Sequence, residues 1–375
     1  MKSLTIDIIK VICEICDFDS LCNMLFVNKY IYNSINLFYN NFKSYIETHK
    51  YKNLLYEDAV KYEQYKLINF LIHLKANYCN NGLNMAASLN NKRMVDFMIS
   101  KGAEEYVNDA MIHAAENNHT NMVEYMMSKG ANNWNATMEY AAENNNMDMI
   151  KHMISKGADN WNSAMTCAAR NNHMDIVNFF VSKGADDWNN AMINAAKNNH
   201  IDMVDYMILQ GANEWNVSMA CAAKNNHMEM VSYMISKGAT DWNYAMIIAA
   251  ENNHMNIVEY MIYKGANDWN NAMVCAAKNN YMDIVKYMIS KGANDFNYAF
   301  MNAAENNHMK MVEYMISKGA DDWNYAMEYA AGNNHMDMVE FMISKGANNF
   351  ENAIYNAKNN NHMDMVTFLM SKNLK

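Results

Sequence analysis

The chain of 375 residues contains no proline and only 12 glycines. The absence of proline excludes a Pro-rich linker, a polyproline ligand or a mucin-like stalk. Positive charge is also scarce, because 30 Lys and Arg residues stand against 40 Asp and Glu residues, for a net charge of −10. Nucleic acids and anionic membranes both require a basic face, so we expect neither as a partner.

Long apolar runs are missing as well. No window of about 18 apolar residues could span a membrane, and Asp7 and Lys10 interrupt the first apolar stretch, so we expect no secretory signal. The seven cysteines are an odd number and do not form a disulfide framework, which predicts a reducing intracellular compartment. Phosphate-loop, dinucleotide and H-E-x-x-H metalloprotease motifs are absent. We therefore predict a protein that is not an enzyme and binds no cofactor.

An internal repeat of 27 residues dominates the sequence. Every tryptophan follows this step, and Phe296 and Phe350 continue the row: Trp134, Trp161, Trp188, Trp215, Trp242, Trp269 and Trp323. Glycines keep the same step from Gly130 to Gly346, whereas Gly102 precedes Gly130 by 28 residues, which places one inserted residue near Tyr106. The pattern predicts about twelve units over residues 54–375, the first and last degenerate, after a separate segment over 1–53.

Each unit predicts two helices, as in WNSAMTCAARNNHMDIVNFFVSKGADD from Trp161. Apolar residues recur at i, i+1, i+4 and i+5 in both halves, which indicates helix faces rather than strands. Asn162 is predicted to cap the first helix, Asn171 and Asn172 to form a left-handed turn, and Gly184 to end the second helix. Because such short helices are unstable alone, we predict a mainly helical solenoid stabilised by neighbouring repeats.

The unit resembles the ankyrin repeat. The resemblance rests on the Ala168–Ala169 pair, His173, Ile176–Val177 and Gly184–Ala185, and it recurs over most of the chain. The TPLH start of the family is replaced, and the period is 27 rather than about 33. The few residues between Gly184 and the next helix cannot form two strands and a turn, so we predict that the β-hairpin fingers are shortened or absent. Short repeats of this kind resemble those encoded by large DNA viruses, for which the intracellular compartment would be the host cytoplasm.

Residues 1–53 lack the repeat and predict several short helices. The segment resembles an F-box through Asp19, Lys29, Tyr32 and a set of apolar residues. The candidate docking residues in that set are Leu4, Ile8, Ile12, Leu21, Leu25 and Val27. This resemblance implies docking onto the linker subunit of a cullin ubiquitin ligase, although Thr5 replaces the usual proline. The alternative is a helical cap that shields the first repeat.

Three rows of repeated residues have both functional and structural interpretations. The histidines, as at His173 and His200, occupy one position per repeat, and helices 8–10 Å apart cannot bring them to one metal ion; we interpret them as hydrogen-bonding turn residues. Trp and Phe in one row, with Tyr106 as a possible member, indicate packing, and methionines such as Met203 indicate adaptable core filling. The C-x-x-C at Cys13 and Cys16 is a weak zinc signal, and buried thiols are the other interpretation.

The variable positions of the first helix are the candidate recognition surface. In ankyrin-like solenoids this helix lines the concave face, so the resemblance implies that a protein partner binds there. The candidate residues are Tyr244, Ile247, Tyr298, Tyr325, Glu328 and Tyr329. We expect a monomer that acts as a protein-interaction scaffold, with a role as a substrate adaptor for a ubiquitin ligase as the specific version. A structural spacer without a dedicated partner, or a metal-dependent or enzymatic function in the first segment, are the alternatives.

Overall fold

The structure is a computed structural model. It describes residues 59–63, 65, 68, 69, 72 and 79–373. The segment 1–53, with its predicted F-box-like or capping helices, its C-x-x-C and its candidate docking residues, lies outside the described residues. In the described part the chain is mainly helical, with 23 helices and no strand, which confirms the predicted ankyrin-like helical solenoid without finger hairpins.

The chain forms two compact units, Met1–Asn160 and Trp161–Lys375. The described part of the first unit contains the α-helices α1 Cys79–Ser88, α2 Lys92–Ile99, α3 Val107–Glu116, α4 Thr120–Ser128, α5 Trp134–Glu143 and α6 Met147–Lys156. A short 3₁₀ helix, Glu104–Tyr106, precedes α3.

The described part of the second unit contains sixteen further helices in the same alternation. They are α7 Trp161–Arg170, α8 Met174–Ser182, α9 Trp188–Lys197, α10 Ile201–Leu209, α11 Trp215–Lys224, α12 Met228–Lys237, α13 Trp242–Glu251, α14 Met255–Lys264, α15 Trp269–Lys278, α16 Met282–Lys291, α17 Phe296–Glu305, α18 Met309–Lys318, α19 Trp323–Gly332, α20 Met336–Lys345, α21 Phe350–Asn359 and α22 Met363–Asn373. We call the odd-numbered helices A and the even-numbered helices B; one A and the following B form a repeat.

The turns within a repeat follow the sequence prediction. Asn172 adopts φ of 62° and Gly184 adopts φ of 101°, so the left-handed region ends helix A and helix B respectively. The predicted cap of helix A is wrong, because α7 begins at Trp161 and Asn162 therefore lies inside the helix. The cap is the residue before the aromatic residue, as shown by Asp187, whose side chain accepts a hydrogen bond from the backbone N–H of Asn190.

The core consists of small residues on helix A and larger ones on helix B. Ala168 and Ala169 on α7 are fully buried, as are Val177 and Phe180 on α8. Small side chains let neighbouring helices A approach closely, while methionine and branched residues fill the space between the layers. Met203 is buried, as predicted, because it faces this core. Each helix A packs on its own helix B and on the next helix A within a unit, so burial is completed only by neighbouring repeats.

In four repeats the tryptophan ring lies close to the glycine that ends helix B of the same repeat. A Cβ atom placed on Gly238 would lie 3.0 Å from the ring of Trp215, and one on Gly292 would lie 3.2 Å from the ring of Trp269. These half-buried rings therefore pack within the repeat, whereas the ring of Trp323 packs edge-on against Phe300 of the preceding repeat, with ring centres 5.5 Å apart. In the repeat formed by α3 and α4, the position belongs to the buried Val107 rather than to Tyr106, which ends the 3₁₀ helix formed around the inserted residue.

Candidate partner-binding surface

The exposed face of helix A carries most of the exposed aromatic residues of the second unit. We number its slots from the aromatic residue that begins the helix, as slot 1. In slot 3, Tyr244, Tyr298 and Tyr325 are 49%, 48% and 53% exposed. Tyr329, in slot 7 of α19, is also exposed and lies one turn along the helix from Tyr325. An array of half-exposed rings on one helical layer is a surface to which a protein can bind.

Two predicted site residues lie differently. Ile247, in slot 6, is only partly exposed and contributes to the margin of this surface. Glu328 is 8% exposed, and its Oε1 accepts hydrogen bonds from the side-chain amides of Asn349 at 3.0 Å and Asn352 at 2.8 Å. Its carboxylate is committed to contacts between repeats, so Glu328 does not belong to the exposed surface. Slot 6 turns toward the neighbouring helix A, and the sequence variation there conceals this burial.

An aspartate precedes each of the slot 3 tyrosines by three residues. Asp241 accepts a hydrogen bond from the backbone N–H of Tyr244 at 3.1 Å, and Asp295 accepts one from that of Tyr298 at 3.3 Å. These carboxylates cap helix A and lie at the beginning of the helix turn that presents the ring. A negative group and an aromatic ring therefore occur side by side at the same end of the helix.

The connections between repeats are held by an asparagine in slot 2 of helix A. Asn270 Oδ1 accepts hydrogen bonds from the backbone N–H groups of Asn294 at 2.8 Å and Asp295 at 3.1 Å. The same pair of bonds recurs, 24 and 25 residues along, from Asn108 and Asn135 in the first unit and from Asn162, Asn189, Asn216, Asn243, Asn297 and Asn324 in the second. This asparagine clamp supplies an acceptor to a loop that has no strand partner.

The histidine row joins helix B of one repeat to helix A of the repeat before it. His200 Nε2 lies 3.1 Å from the carbonyl oxygen of Arg170, the last residue of α7. Because a carbonyl only accepts, Nε2 must carry the proton. Burial lowers the pKa of His200, and the neighbouring His173 and His227 lower it further, while the bond to Arg170 raises it. These contacts support the interpretation as turn residues; among the residues that the structure describes, no cluster of His, Cys, Asp and Glu could hold a metal ion.

Burial disfavours ionisation of two thiols in the cysteine row on helix A. Cys221 and Cys275 are half-buried in slot 7, and burial raises the pKa of both thiols. A raised pKa lowers the thiolate fraction, which is the nucleophilic and metal-binding form. This position therefore offers a small apolar side chain rather than a reactive group.

Helix B presents a second, different face. An aromatic residue on this helix is covered by a lysine four residues later, as in Lys237, which lies 4.9 Å from the ring centre of Tyr233. The Tyr233 hydroxyl and Lys237 both bond Asp205 of the preceding repeat, and these bonds lower the pKa of Asp205. Where other repeats have serine, Leu209 and Tyr263 are 78% and 82% exposed. Sequence reasoning missed these two substitutions, although comparing the repeats with each other reveals them.

The described helices include none that is both long and apolar enough to cross a membrane. The described molecule is instead built from short helical hairpins that share one layered core in each unit. These features define a helical repeat protein. A family model described as "Ankyrin repeats (3 copies)" matches residues 57–137, 138–219, 192–272, 218–298, 246–325 and 272–352. Because these matches cover most of the chain, the protein belongs to the ankyrin-repeat family. No curated protein matches the chain.

Proposed function

We propose that the protein is an interaction scaffold whose helix A face in the second unit binds a protein partner. Ankyrin repeats suggest such a scaffold in general. The observation that carries the assignment to this face is the exposure of Tyr244, Tyr298 and Tyr325 in one slot, which holds serine, asparagine or valine in the other repeats of the second unit. Tyrosines that remain half-exposed provide large contact area at a small loss of conformational entropy.

Affinity purification from cells of the organism that encodes the chain tests this proposal. The full chain is compared with a variant carrying Tyr298→Ala and Tyr325→Ala, and with a control carrying Glu259→Ala and Lys286→Ala on helix B. Both pairs are exposed, so neither variant should unfold. We expect a reproducible partner that is lost with the tyrosine variant and retained with the control. Retention by the tyrosine variant and loss by the control would assign binding to the helix B face.

The more specific proposal is that the chain is a substrate adaptor. The F-box-like resemblance of residues 1–53 supports docking on the linker subunit of a cullin ubiquitin ligase, while the repeats hold the target. Deletion of residues 1–53 should remove the ligase subunits from the purified material and leave the tyrosine-dependent partner bound. A chain that carries neither kind of partner would favour a structural spacer.

A further inference from the structure

The three repeats with tyrosine in slot 3 also differ from the other repeats of the second unit in the charge of helix A. Five helices A of the second unit have a residue other than tyrosine in slot 3. Four of these five end in slot 10 with a basic residue: Arg170, Lys197, Lys224 and Lys278. The fifth, α21, ends at Asn359. The three tyrosine helices end at Glu251, Glu305 and Gly332, and none of them contains a lysine or arginine. Positive charge is therefore missing from the three helices that carry tyrosine in slot 3.

The capping carboxylates differ in the same way. In two repeats with asparagine in slot 3, the side-chain amide donates to the second carboxylate oxygen of the cap, at 2.7 Å for Asn190 to Asp187 and 2.8 Å for Asn271 to Asp268. Tyrosine has no side-chain amide that could make this bond from slot 3. No described residue donates to the second oxygen of Asp241 or Asp295.

Unlike Asp241 and Asp295, Asp322 makes no capping hydrogen bond with its side chain. An aromatic ring, an uncommitted carboxylate oxygen and a helix without cations thus coincide three times, with two of the sites on the neighbouring helices α17 and α19.

We infer that Tyr298 with Asp295, and Tyr325 with Asp322, receive two arginine side chains of an extended basic segment in the partner. This inference rests on the proposed function, because it specifies the partner that binds the same face. A guanidinium can stack on the ring and donate to the carboxylate at once, which an ammonium does less well. Helices packed side by side lie about 8–10 Å apart. A segment in the extended polyproline II conformation has three residues per turn and rises about 3.1 Å per residue, so arginines three residues apart lie on one face at about 9 Å and match the two sites.

The test measures fluorescence anisotropy of a labelled synthetic peptide with arginine at every third position, separated by glycine and serine. Peptides with lysine or glutamate in place of arginine are the controls. Full-length protein should bind the arginine peptide best, the lysine peptide more weakly and the glutamate peptide not at all. The variant with Tyr298→Ala and Tyr325→Ala should bind the arginine peptide about tenfold more weakly, the size expected for two exposed cation–π contacts.

A second variant, with Asp295→Asn and Asp322→Asn, should weaken binding and reduce its dependence on salt. Asn190→Ala with Asn271→Ala, in slot 3 of other repeats, should leave binding unchanged. Equal binding of the arginine and lysine peptides, or full binding by the tyrosine variant, would overturn the inference.

The proposed function is separable from this result. If the purified partner still requires the tyrosines but the arginine peptide neither binds nor competes, the inference fails and the proposed function stands. If the purified partner ignores the tyrosine substitutions, the proposed function itself is wrong.

Discussion

The asparagine clamp can be tested by replacing Asn270 with alanine. This substitution removes the acceptor of two backbone N–H groups, on Asn294 and Asp295, at 2.8 and 3.1 Å. Each hydrogen bond contributes a net of about 0.5–1.5 kcal/mol. Because the loop is exposed and water can replace the lost oxygen, we expect the lower half of the summed range, about 1–2 kcal/mol of unfolding free energy.

The matched control is Asn271→Ala, one residue further along the same helix. Both substitutions gain the same helix propensity, up to about 0.7 kcal/mol. Asn271 is exposed and bonds only Asp268, within its own repeat, so its loss should change stability by at most about 0.5 kcal/mol. The difference between the two variants therefore isolates the clamp. A third variant, Asn270→Asp, keeps an acceptor oxygen and should retain most of the stability.

Hydrogen exchange measured by mass spectrometry is the decisive assay, because a repeat array can open locally without global unfolding. Exchange of the segment around residues 294 and 295 should rise about tenfold in Asn270→Ala and stay near wild type in Asn271→Ala. The midpoint of urea unfolding should fall in the same order. Unchanged exchange in the first variant, or an equal rise in both, would show that the clamp does not hold the loop.

Three further outcomes are expected. Burial lowers the folded-state pKa of His200. The stabilisation that His200 contributes is therefore complete above about pH 6.5, its unfolded pKa, and is lost as the pH falls through the folded pKa. The urea midpoints of wild type and His200→Asn should converge at acid pH, and a difference that stays constant with pH would contradict this. Gly238→Ala should lower thermal stability more than Gly184→Ala, since both glycines have positive φ, costing about 1–2 kcal/mol each, but only the Gly238 Cβ would meet a tryptophan ring at 3.0 Å. Phe300 is fully buried in a slot where most repeats have methionine, so Phe300→Met should cost under about 1.5 kcal/mol and Phe300→Ala about 3–5 kcal/mol, as measured by urea unfolding; equal losses would contradict the packing.

The sequence was sufficient to predict the helical hairpins because their limits depend on local backbone chemistry. Asn172 and Gly184 end helices through conformations that few other residues adopt, and these signals recur along the described repeats, except that no glycine follows α22. The role of Asn162 could not be predicted in this way. Its partners, Asp186 and Asp187, lie 24 and 25 residues along the chain, and their proximity depends on how two repeats stack.

The candidate surface was only partly predictable for the same reason. Variation between repeats predicts a recognition surface on helix A, and the structure shows that Tyr244 and Tyr298 are exposed there. Variation alone could not separate slot 3, which is open, from slot 6, which turns toward the next helix and buries Glu328. Two slots with equal diversity can therefore differ in exposure, and the difference lies in the rotation of the helix against its neighbour.

The inserted residue between Gly102 and Gly130 affects the two bonds between repeats, the histidine bond and the asparagine clamp, in different ways. His119 still bonds the carbonyl of Ser88, now 31 residues before it instead of 30, because the insertion lies in the loop that both bonds span. In the described residues, Asn80 makes no clamp to this lengthened loop, which forms the 3₁₀ helix Glu104–Tyr106 instead. The histidine bond is therefore kept wherever the helices pack in this way, while the clamp requires a loop of one particular length. A change in loop length should therefore remove the clamp without disturbing the packing of neighbouring repeats. The exposed slots of helix A can vary without disturbing either.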